Sequence, residues 1–353
     1  MDDKTLAFVK EKFLDYYESV SWEHEDYLEI NKREFAFTYF NKPGMDRGLY
    51  FETPEKLKEH ILSTVPSNAY YSSSYYSIST SNKPKFEGAD LIFDIDSDHL
   101  PGGEGMEYNE MINHGYEEIK KLTIEILLNE FAISERNIMI TFSGKRGFHI
   151  HVNDPLYIPL LSKERKSLSS YVSASSLYSI VKNPPSKLPS NAMTRMAIDY
   201  IEKEVISKNK EMKKNYEKNK KNENVFLFIQ KNKKNYNINI DPKEISNKIA
   251  IHIDAPVTGD IRRLIRLPLS LHQKSGFYVQ KIPLDFIKSN SIFNPFKEAI
   301  FEKWNDEYVK IKAIKDINIK LNNKKYEFKK EEVRSIPCTI AIFLITGEMA
   351  NIV

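Results

Sequence analysis

Cysteine is almost absent from this chain of 353 residues, with Cys338 as the single example. One cysteine cannot form an intrachain disulfide, and it cannot build a thiolate-rich zinc or iron–sulfur cage. The lack of disulfides fits a reducing compartment, so we expect an intracellular, cytoplasmic protein.

Long apolar runs and a strong net charge are missing too. No stretch approaches the roughly 20 apolar residues that a membrane span needs. The first residues, MDDKTLAFVKEKFLDYY, carry acids and lack the apolar centre of a signal peptide. The 52 basic and 49 acidic residues leave a formal charge of +3, so any basic surface must be local. We therefore expect no membrane contact.

Apolar spacing predicts alternating helices and strands. Helices are indicated for KTLAFVKEKFLDYYESV, for TPEKLKEHILS after the N-cap candidate Thr53, and for residues 115–130. Strands are indicated for REFAFTYF and LYFET, which form a hairpin, for LIFDID, and for the two halves of NIMITFSGKRGFHIHV. NKIAIHID reads as a further strand, and the arginines of IRRLIRLP fall at helical spacing with Asp260 as the helix cap. The pattern predicts an α/β (α+β) fold.

The composition changes in the middle of the chain. Residues 158–236 are rich in Ser, Lys and Asn, which indicates an inserted, mainly helical subdomain between core parts 1–157 and 237–353. Its end is basic, with seven lysines against two glutamates in residues 208–221. Such a run is usually a solvated face, and a nucleic-acid contact is the alternative.

Acidic residues end two of the predicted strands. Asp94 and Asp96 alternate in LIFDIDSD, so both carboxylates point to one face. Asp254 closes NKIAIHID in the same way and could join them. Two adjacent carboxylates repel each other unless a cation lies between them, although acids after a strand are also common turn formers. Asp98, further into the loop, is left out of this cluster.

Cations and glycines follow the other strands. Ser143, Lys145, Arg146 and His149 surround two glycines in SGKRGFH, and glycines let a backbone approach a ligand closely. Arg266 and His272 occur in RLIRLPLSLHQKSG. A tight turn on a basic surface and a salt-bridged face are the ordinary explanations when each segment is taken alone.

Together these groups suit one chemistry. Carboxylates bind hard divalent ions such as Mg²⁺ or Mn²⁺, and guanidinium, ammonium and imidazole groups bind a triphosphate. Phosphoryl or nucleotidyl transfer with two metal ions uses both sets.

The motifs REFAFTYF with GMDRGLYF, LIFDIDSD, SGKRGFHIHV and IDAPVTGDIRRLIRLPLSLHQKSG occur in the order found in a known family. The chain resembles the small, catalytic subunit of archaeal and eukaryotic DNA primases, and most closely the archaeal ones, over roughly residues 30–280. The resemblance implies an archaeo-eukaryotic primase catalytic core and DNA-templated synthesis of short RNA primers, with release of pyrophosphate. DNA primers are a second possible product.

The resemblance also implies roles for single residues. It assigns two catalytic Mg²⁺ or Mn²⁺ ions to Asp94, Asp96 and Asp254. It assigns nucleotide and triphosphate contacts to Glu34, Arg47, Ser143, Lys145, Arg146, His149, Arg266 and His272. The implied partners are a primase large subunit in a heterodimer, a single-stranded DNA template, and NTPs or dNTPs.

One family feature is missing from the sequence. Members usually carry a small cysteine-rich zinc module after the acidic motif, where this chain offers only His99 and His114. Two histidines without cysteine do not make a structural zinc site, so we expect the module to be absent.

Two alternatives share part of these features. A primase-fold polymerase for repair or gap filling would use the same active site without a large subunit. A non-catalytic nucleic-acid-binding subunit would not need three carboxylates, which repel one another in the absence of metal.

Overall fold

The computed structural model of the chain describes residues 1–78, 84–103, 105–238, 240–289, 291–322 and 324–353. Helices and strands alternate along it, which confirms the predicted α+β class. The helices are α1 (Asp3–Ser19), α2 (Pro54–Thr64), α3 (Tyr108–Lys121), α4 (Ser162–Val172), α5 (Leu177–Lys182), α6 (Ala192–Ile201), α7 (Lys210–Asn219), α8 (Val225–Asn232), α9 (Pro242–Ile249), α10 (Ala255–Gly259), α11 (Leu284–Lys288), α12 (Pro295–Glu298) and α13 (Cys338–Thr346).

The strands form two four-stranded antiparallel sheets and smaller ribbons. They are β1 (Phe35–Tyr39), β2 (Lys42–Leu49), β3 (Asn68–Ser72), β4 (Ser74–Ile78), β5 (Pro84–Ala89), β6 (Leu91–Asp96), β7 (Ile138–Phe142), β8 (Gly147–Val152), β9 (Leu264–Arg266), β10 (Gln280–Ile282), β11 (Tyr308–Ala313), β12 (Ile317–Leu321), β13 (Lys324–Phe328), β14 (Val333–Pro337) and β15 (Ala350–Ile352). The first large sheet has the order β2-β1-β3-β9, and the second has the order β10-β7-β8-β6.

The core lies between these sheets and the helices that cover them. Strand β6 is buried from Leu91 to Ile95, and its neighbour β8 is buried along its whole length. Near the C-terminus, every residue of α13 is buried. A strand that is buried on both faces reads as a continuous apolar run, which is why the acids of β6 stand out.

Helices α4 to α9 occupy Ser162–Ile249, within and beyond the range predicted for the inserted subdomain. A buried arginine joins α4 to the core. Arg165 donates hydrogen bonds of 2.6 Å to the Asp90 carbonyl and 2.7 Å to the Ala89 carbonyl, immediately before β6. The domain boundaries themselves stay a prediction.

Several sequence predictions are confirmed at the level of single elements. Helix α1 spans the expected range, and Thr53 Oγ1 accepts the Lys56 N–H at the start of α2. The two strands around the SGKRG turn pair antiparallel, as β7 and β8. No helix in the described ranges is both long and apolar enough to cross a membrane.

Other predictions were wrong in position or type. The second strand of the N-terminal hairpin is β2, which comes before the LYFET segment, because the turn lies at Phe40 and Asn41. The helix expected over 115–130 begins at Tyr108 and continues as a π-helical segment, Leu122–Leu128.

The segment around Asp254 differs most from its prediction. Residues 250–254 form no described strand, and the arginine segment forms strand β9 instead of a helix. Pairing with β3 overrides the helical spacing, since Leu264 pairs with Ser72 and Arg266 with Tyr70. Asp260 therefore caps no following helix, and its carboxylate accepts the Arg262 N–H at 2.9 Å.

Candidate active site

Strand β6 delivers two carboxylates to one place on the second sheet. Asp94 pairs with His149 and Asp96 pairs with Gly147 across the β6–β8 ladder. Asp254 joins them through its backbone, because its N–H donates to the Asp94 carbonyl at 2.8 Å. It lies at the start of α10, a helix that packs against β6 and α4. The structure thus brings the three predicted acids into one neighbourhood.

The environments of the acids differ. The side chain of Asp94 is 11% exposed and that of Asp96 is 44% exposed. Burial, followed by repulsion from Asp96 and Asp254, raises the pKa of Asp94 to about 8, and the nearby Arg263 opposes this rise. Burial, followed by repulsion from Asp98, also raises the pKa of Asp96. Each shift shows that negative charge is unfavourable here without a cation.

The donor set fits a hard divalent cation in its chemistry. Asp94 Oδ1 is buried and makes no hydrogen bond to any described residue, so an oxygen that metal ions prefer is available. Yet no three Asp, Glu, His or Cys side chains in the described ranges converge as a ready-made metal cage. The carboxylates would therefore close around an ion together with oxygens from the substrate, which is how Mg²⁺ is usually held.

The turn between β7 and β8 places Ser143 beside the acids. Ser143 Oγ accepts the Gly147 N–H at 3.0 Å, and the Ser143 N–H donates to the Gly147 carbonyl at 2.8 Å. Gly144 has a φ of +88°, and a Cβ there would lie 2.9 Å from the Cβ of His272. Glycine is therefore required both for the turn and for its close packing on the loop after β9.

Two cations project from the same turn. Arg146 Nη1 donates to Asp98 Oδ2 at 2.8 Å, a pair that the sequence analysis did not foresee. Burial, followed by repulsion from Arg146 and Lys274, lowers the pKa of Lys145. The cations crowd one another, so an anion bound among them would relieve their repulsion.

His149 and His151 are both buried but have different surroundings. His149 Nε2 lies 3.5 Å from Asp94 Oδ1, and burial, followed by the charges of neighbouring basic groups, lowers the pKa of His149 to about 3. It is therefore neutral at physiological pH. His151 instead lies 3.2 Å from the Tyr71 hydroxyl and near Asp90, within the core.

Arg266 and His272 are brought together from the first sheet. Arg266 Nη2 lies 2.9 Å from His272 Nε2, and the Lys274 N–H points at His272 Nδ1 from 3.0 Å. Burial, followed by the charge of Arg266, lowers the pKa of His272 well below its ordinary value, so the ring is neutral. A neutral imidazole has one ring nitrogen that accepts a hydrogen bond and one that carries a hydrogen, so it can accept from only one of these two donors. At the other ring nitrogen, two N–H groups face each other. An anion between Arg266 and His272 would remove that conflict.

Glu34 and Arg47 form a separate pair on the first sheet. Arg47 Nε donates to Glu34 Oε1 at 3.0 Å, and the Gly48 N–H donates to the same oxygen at 3.1 Å. These hydrogen bonds fix the β1–β2 hairpin. They do not tie the pair to the three carboxylates.

Sequence reasoning missed two residues that act on the site. Arg263 lowers the pKa of both Asp94 and Asp96, and its Nε is buried without a hydrogen-bond partner among the described residues. Asn68 Oδ1 accepts from Arg266 and from the Gln273 N–H. Reading RRLIR as a strand would have suggested Arg263, while no local signal marks Asn68.

Comparison with known proteins adds the family. Residues 93–284 match the family model described as DNA primase small subunit. The DNA primase small subunit PriS of Archaeoglobus fulgidus is 35% identical over 353 aligned residues, which cover 97% of both chains. The chain belongs to the DNA primase small subunit family.

Membership in this family extends over nearly the whole chain. The DNA primase small subunit PriS of Thermoplasma volcanium is 34% identical over 338 aligned residues, with 91% of both chains covered. A solved polymerase domain from Mycobacterium tuberculosis Ligase D in complex with DNA is 11% identical, with a TM-score of 0.45, over 83% of this chain and 86% of that one. The resemblance stated from the motifs is confirmed by the family match, and membership in a primase family supports nucleotidyltransferase activity.

Proposed function

We propose that this chain is the catalytic subunit of a DNA primase, which copies single-stranded DNA into short RNA primers and releases pyrophosphate. The observation that carries the proposal is that two carboxylates on β6 and a third just before α10 lie in one neighbourhood, with basic groups on the adjoining turn and loop. Family membership over nearly the full chain supports it.

Asp94, Asp96 and Asp254 would hold two Mg²⁺ or Mn²⁺ ions. Such ions supply positive charge at the attacking 3′-hydroxyl and at the triphosphate. The carboxylates offer a cation site because their own repulsion and the burial of Asp94 make it unfavourable for them to stay ionised alone.

The remaining residues would bind the nucleotide. Arg266 and His272 would take one phosphate between them, since an anion there resolves the conflict between their N–H groups. The Ser143 turn, with Lys145 and Arg146, would hold further phosphate oxygens, and neutral His149 would donate a hydrogen bond beside Asp94. Fixing the triphosphate in this way orients the reacting phosphorus and balances the charge that develops on pyrophosphate.

Glu34 and Arg47 would complete the nucleotide site from the first sheet. Arg47 is the more accessible partner, because its side chain is 56% exposed while Glu34 is nearly buried. A primase large subunit is the proposed partner in a heterodimer, since the relatives are small subunits by name. Zinc is not part of the proposal.

Primer synthesis on unprimed single-stranded DNA tests this function. Labelled ribonucleotides or deoxynucleotides are supplied with Mg²⁺ or Mn²⁺, with and without the cognate large subunit. The wild type should make short products, Asp94→Asn should make none, and Asp199→Asn should match the wild type because Asp199 lies exposed on α6.

The other outcomes identify the alternatives. Products made only from a supplied primer would indicate a repair or gap-filling polymerase. A wild type inactive under every condition would favour a non-catalytic subunit, and full activity in Asp94→Asn would refute the assignment of the acids.

A further inference from the structure

A basic groove opens beside the SGKRG turn, and none of Asp94, Asp96 and Asp254 is among its described lining residues. It has a volume of about 1080 Å³. Six cationic side chains of the described residues line it: Lys145, Arg146, Lys274, Lys315, Lys320 and Lys325. Asp98, Glu107 and Glu348 supply the acidic groups among the described lining residues, so these residues carry an excess of positive charge.

The groove joins the active site to the C-terminal part of the chain. Lys145 and Arg146 come from the turn that also carries Ser143, and Lys274 follows His272. The β12–β13 hairpin, which carries Lys320 and Lys325, also lines the groove. A ligand in this groove would therefore meet the proposed triphosphate site at one end.

The cations of the hairpin are placed against one another. Lys320 and Lys325 are directly opposite in the β12–β13 ladder, a pairing that destabilises a hairpin when both residues carry the same charge. Each has a carboxylate partner, since Lys320 lies 3.1 Å from Glu107 and Lys325 lies 2.5 Å from Glu327. All four of these side chains are about half exposed or more, so the pairs are weak and could yield to a stronger anion.

The inner end of the groove shows the same repulsion. Lys145 is partly buried, and Arg146, Lys274 and Arg266 add to the burial that lowers its pKa. Cations that crowd one another at both ends of one groove indicate a ligand with several negative charges along its length, because a single small anion cannot reach both ends.

Part of the groove lining is apolar. Met106, Ile319 and Met349 line the groove together with the basic residues. A nucleic-acid strand presents charged phosphates along its backbone and apolar faces on its bases, which matches a lining that is both basic and apolar. A purely acidic peptide would leave these apolar residues without a partner.

We propose that this groove binds single-stranded nucleic acid, holding the phosphates of the template strand along Lys315, Lys320 and Lys325 as it approaches the active site. The inference rests on the proposed function, because it names where the template of that reaction lies. The lysine-rich helix α7, which contributes no described residue to the groove lining, is not part of this path.

Binding of a fluorescently labelled single-stranded oligonucleotide to the full-length protein tests the groove, with anisotropy measured across a range of salt concentrations. The test variant is Lys315→Gln/Lys320→Gln/Lys325→Gln. The control is Lys213→Gln/Lys214→Gln/Lys218→Gln, which removes the same charge from exposed positions of α7. Thermal unfolding of both variants checks that each is folded.

The groove variant should bind the oligonucleotide at least about tenfold more weakly at low salt. The slope of the logarithm of its binding constant against the logarithm of salt concentration should fall in magnitude by about 2, since three phosphate contacts are lost at roughly 0.7 each. The α7 variant should keep both values. In primer synthesis, the groove variant should need more template for half-maximal rate but reach the rate of the wild type at saturation.

Three results would overturn the inference. The first is unchanged DNA binding by the groove variant, and the second is an equal loss of DNA affinity in the α7 variant. The third is a groove variant that binds DNA normally but no longer binds the large subunit, which would make the groove a protein-binding surface. Because binding needs no catalysis, the assay separates the two proposals. A wild type that binds DNA through the groove but makes no primers would refute only the proposed function.

Discussion

Replacing Asp94 by asparagine should make the metal-free protein more stable while abolishing its activity. The side chain keeps its size but loses the charge that burial and the other acids oppose. A carboxyl group whose pKa is raised on folding holds its proton to higher pH than it does in the unfolded chain. The contribution of Asp94 to the stability of the wild type therefore falls as the pH rises from about 4 to about 8.

The magnitude follows from the pKa of about 8. Each pH unit above the ordinary pKa of an aspartate adds about 1.36 kcal/mol to the free-energy cost that Asp94 imposes on the folded wild type. This cost has an upper limit of about 4 kcal/mol at pH 7 and falls to about 2 kcal/mol at pH 5. For a chain of 353 residues, removing the larger cost raises the melting temperature by up to roughly 5 °C.

Thermal unfolding in EDTA at pH 5 and pH 7 measures this effect, and repetition with Mg²⁺ or Mn²⁺ measures the contribution of metal. Asp94→Asn should melt higher than the wild type in EDTA, by more at pH 7 than at pH 5. Metal should stabilise only the wild type. The control Asp96→Asn should gain less, because Asp96 is far more exposed. Equal or lower stability of Asp94→Asn at pH 7, or equal stabilisation of both proteins by metal, would refute the reasoning.

Three further substitutions test one buried ion pair of the core and two parts of the site. Arg33→Gln should lower the free energy of unfolding by about 3–5 kcal/mol in denaturant titration, because it leaves the buried carboxylate of Asp90 without its ion-pair partner at 2.8 Å. A loss below about 1 kcal/mol would contradict this. Gly144→Ala should weaken nucleotide binding in a direct titration and lower the free energy of unfolding by about 1–3 kcal/mol, since a φ of +88° is strained for any other residue. Unchanged nucleotide affinity would count against the turn as a phosphate site. Arg47→Ala should change the free energy of unfolding by less than about 1 kcal/mol, as expected for an exposed ion pair, yet it should raise the KM for nucleotide. An unchanged KM would remove Arg47 from the site.

Much of the site could be predicted from local pattern. Asp94 and Asp96 were recognised because a strand has a period of two, and the SGKRG turn because glycines interrupt an apolar run. Arg266 and His272 were grouped correctly, although the segment before them was expected to be helical. The strand forms there because Leu264–Arg266 pairs with a distant strand, and local spacing carries no information about that pairing.

The sequence by itself determined which residues are candidates for the proposed chemistry: the acids, the glycines and the cations, along with the elements that carry most of them. Only the tertiary structure decided which of them meet. It set Arg146 against Asp98, brought Arg263 near the carboxylates, and placed Lys320 of the C-terminal hairpin in the lining of the same groove as Lys145. These contacts join residues far apart in the chain, and they depend on how buried sheets and helices pack rather than on the local preferences of each segment.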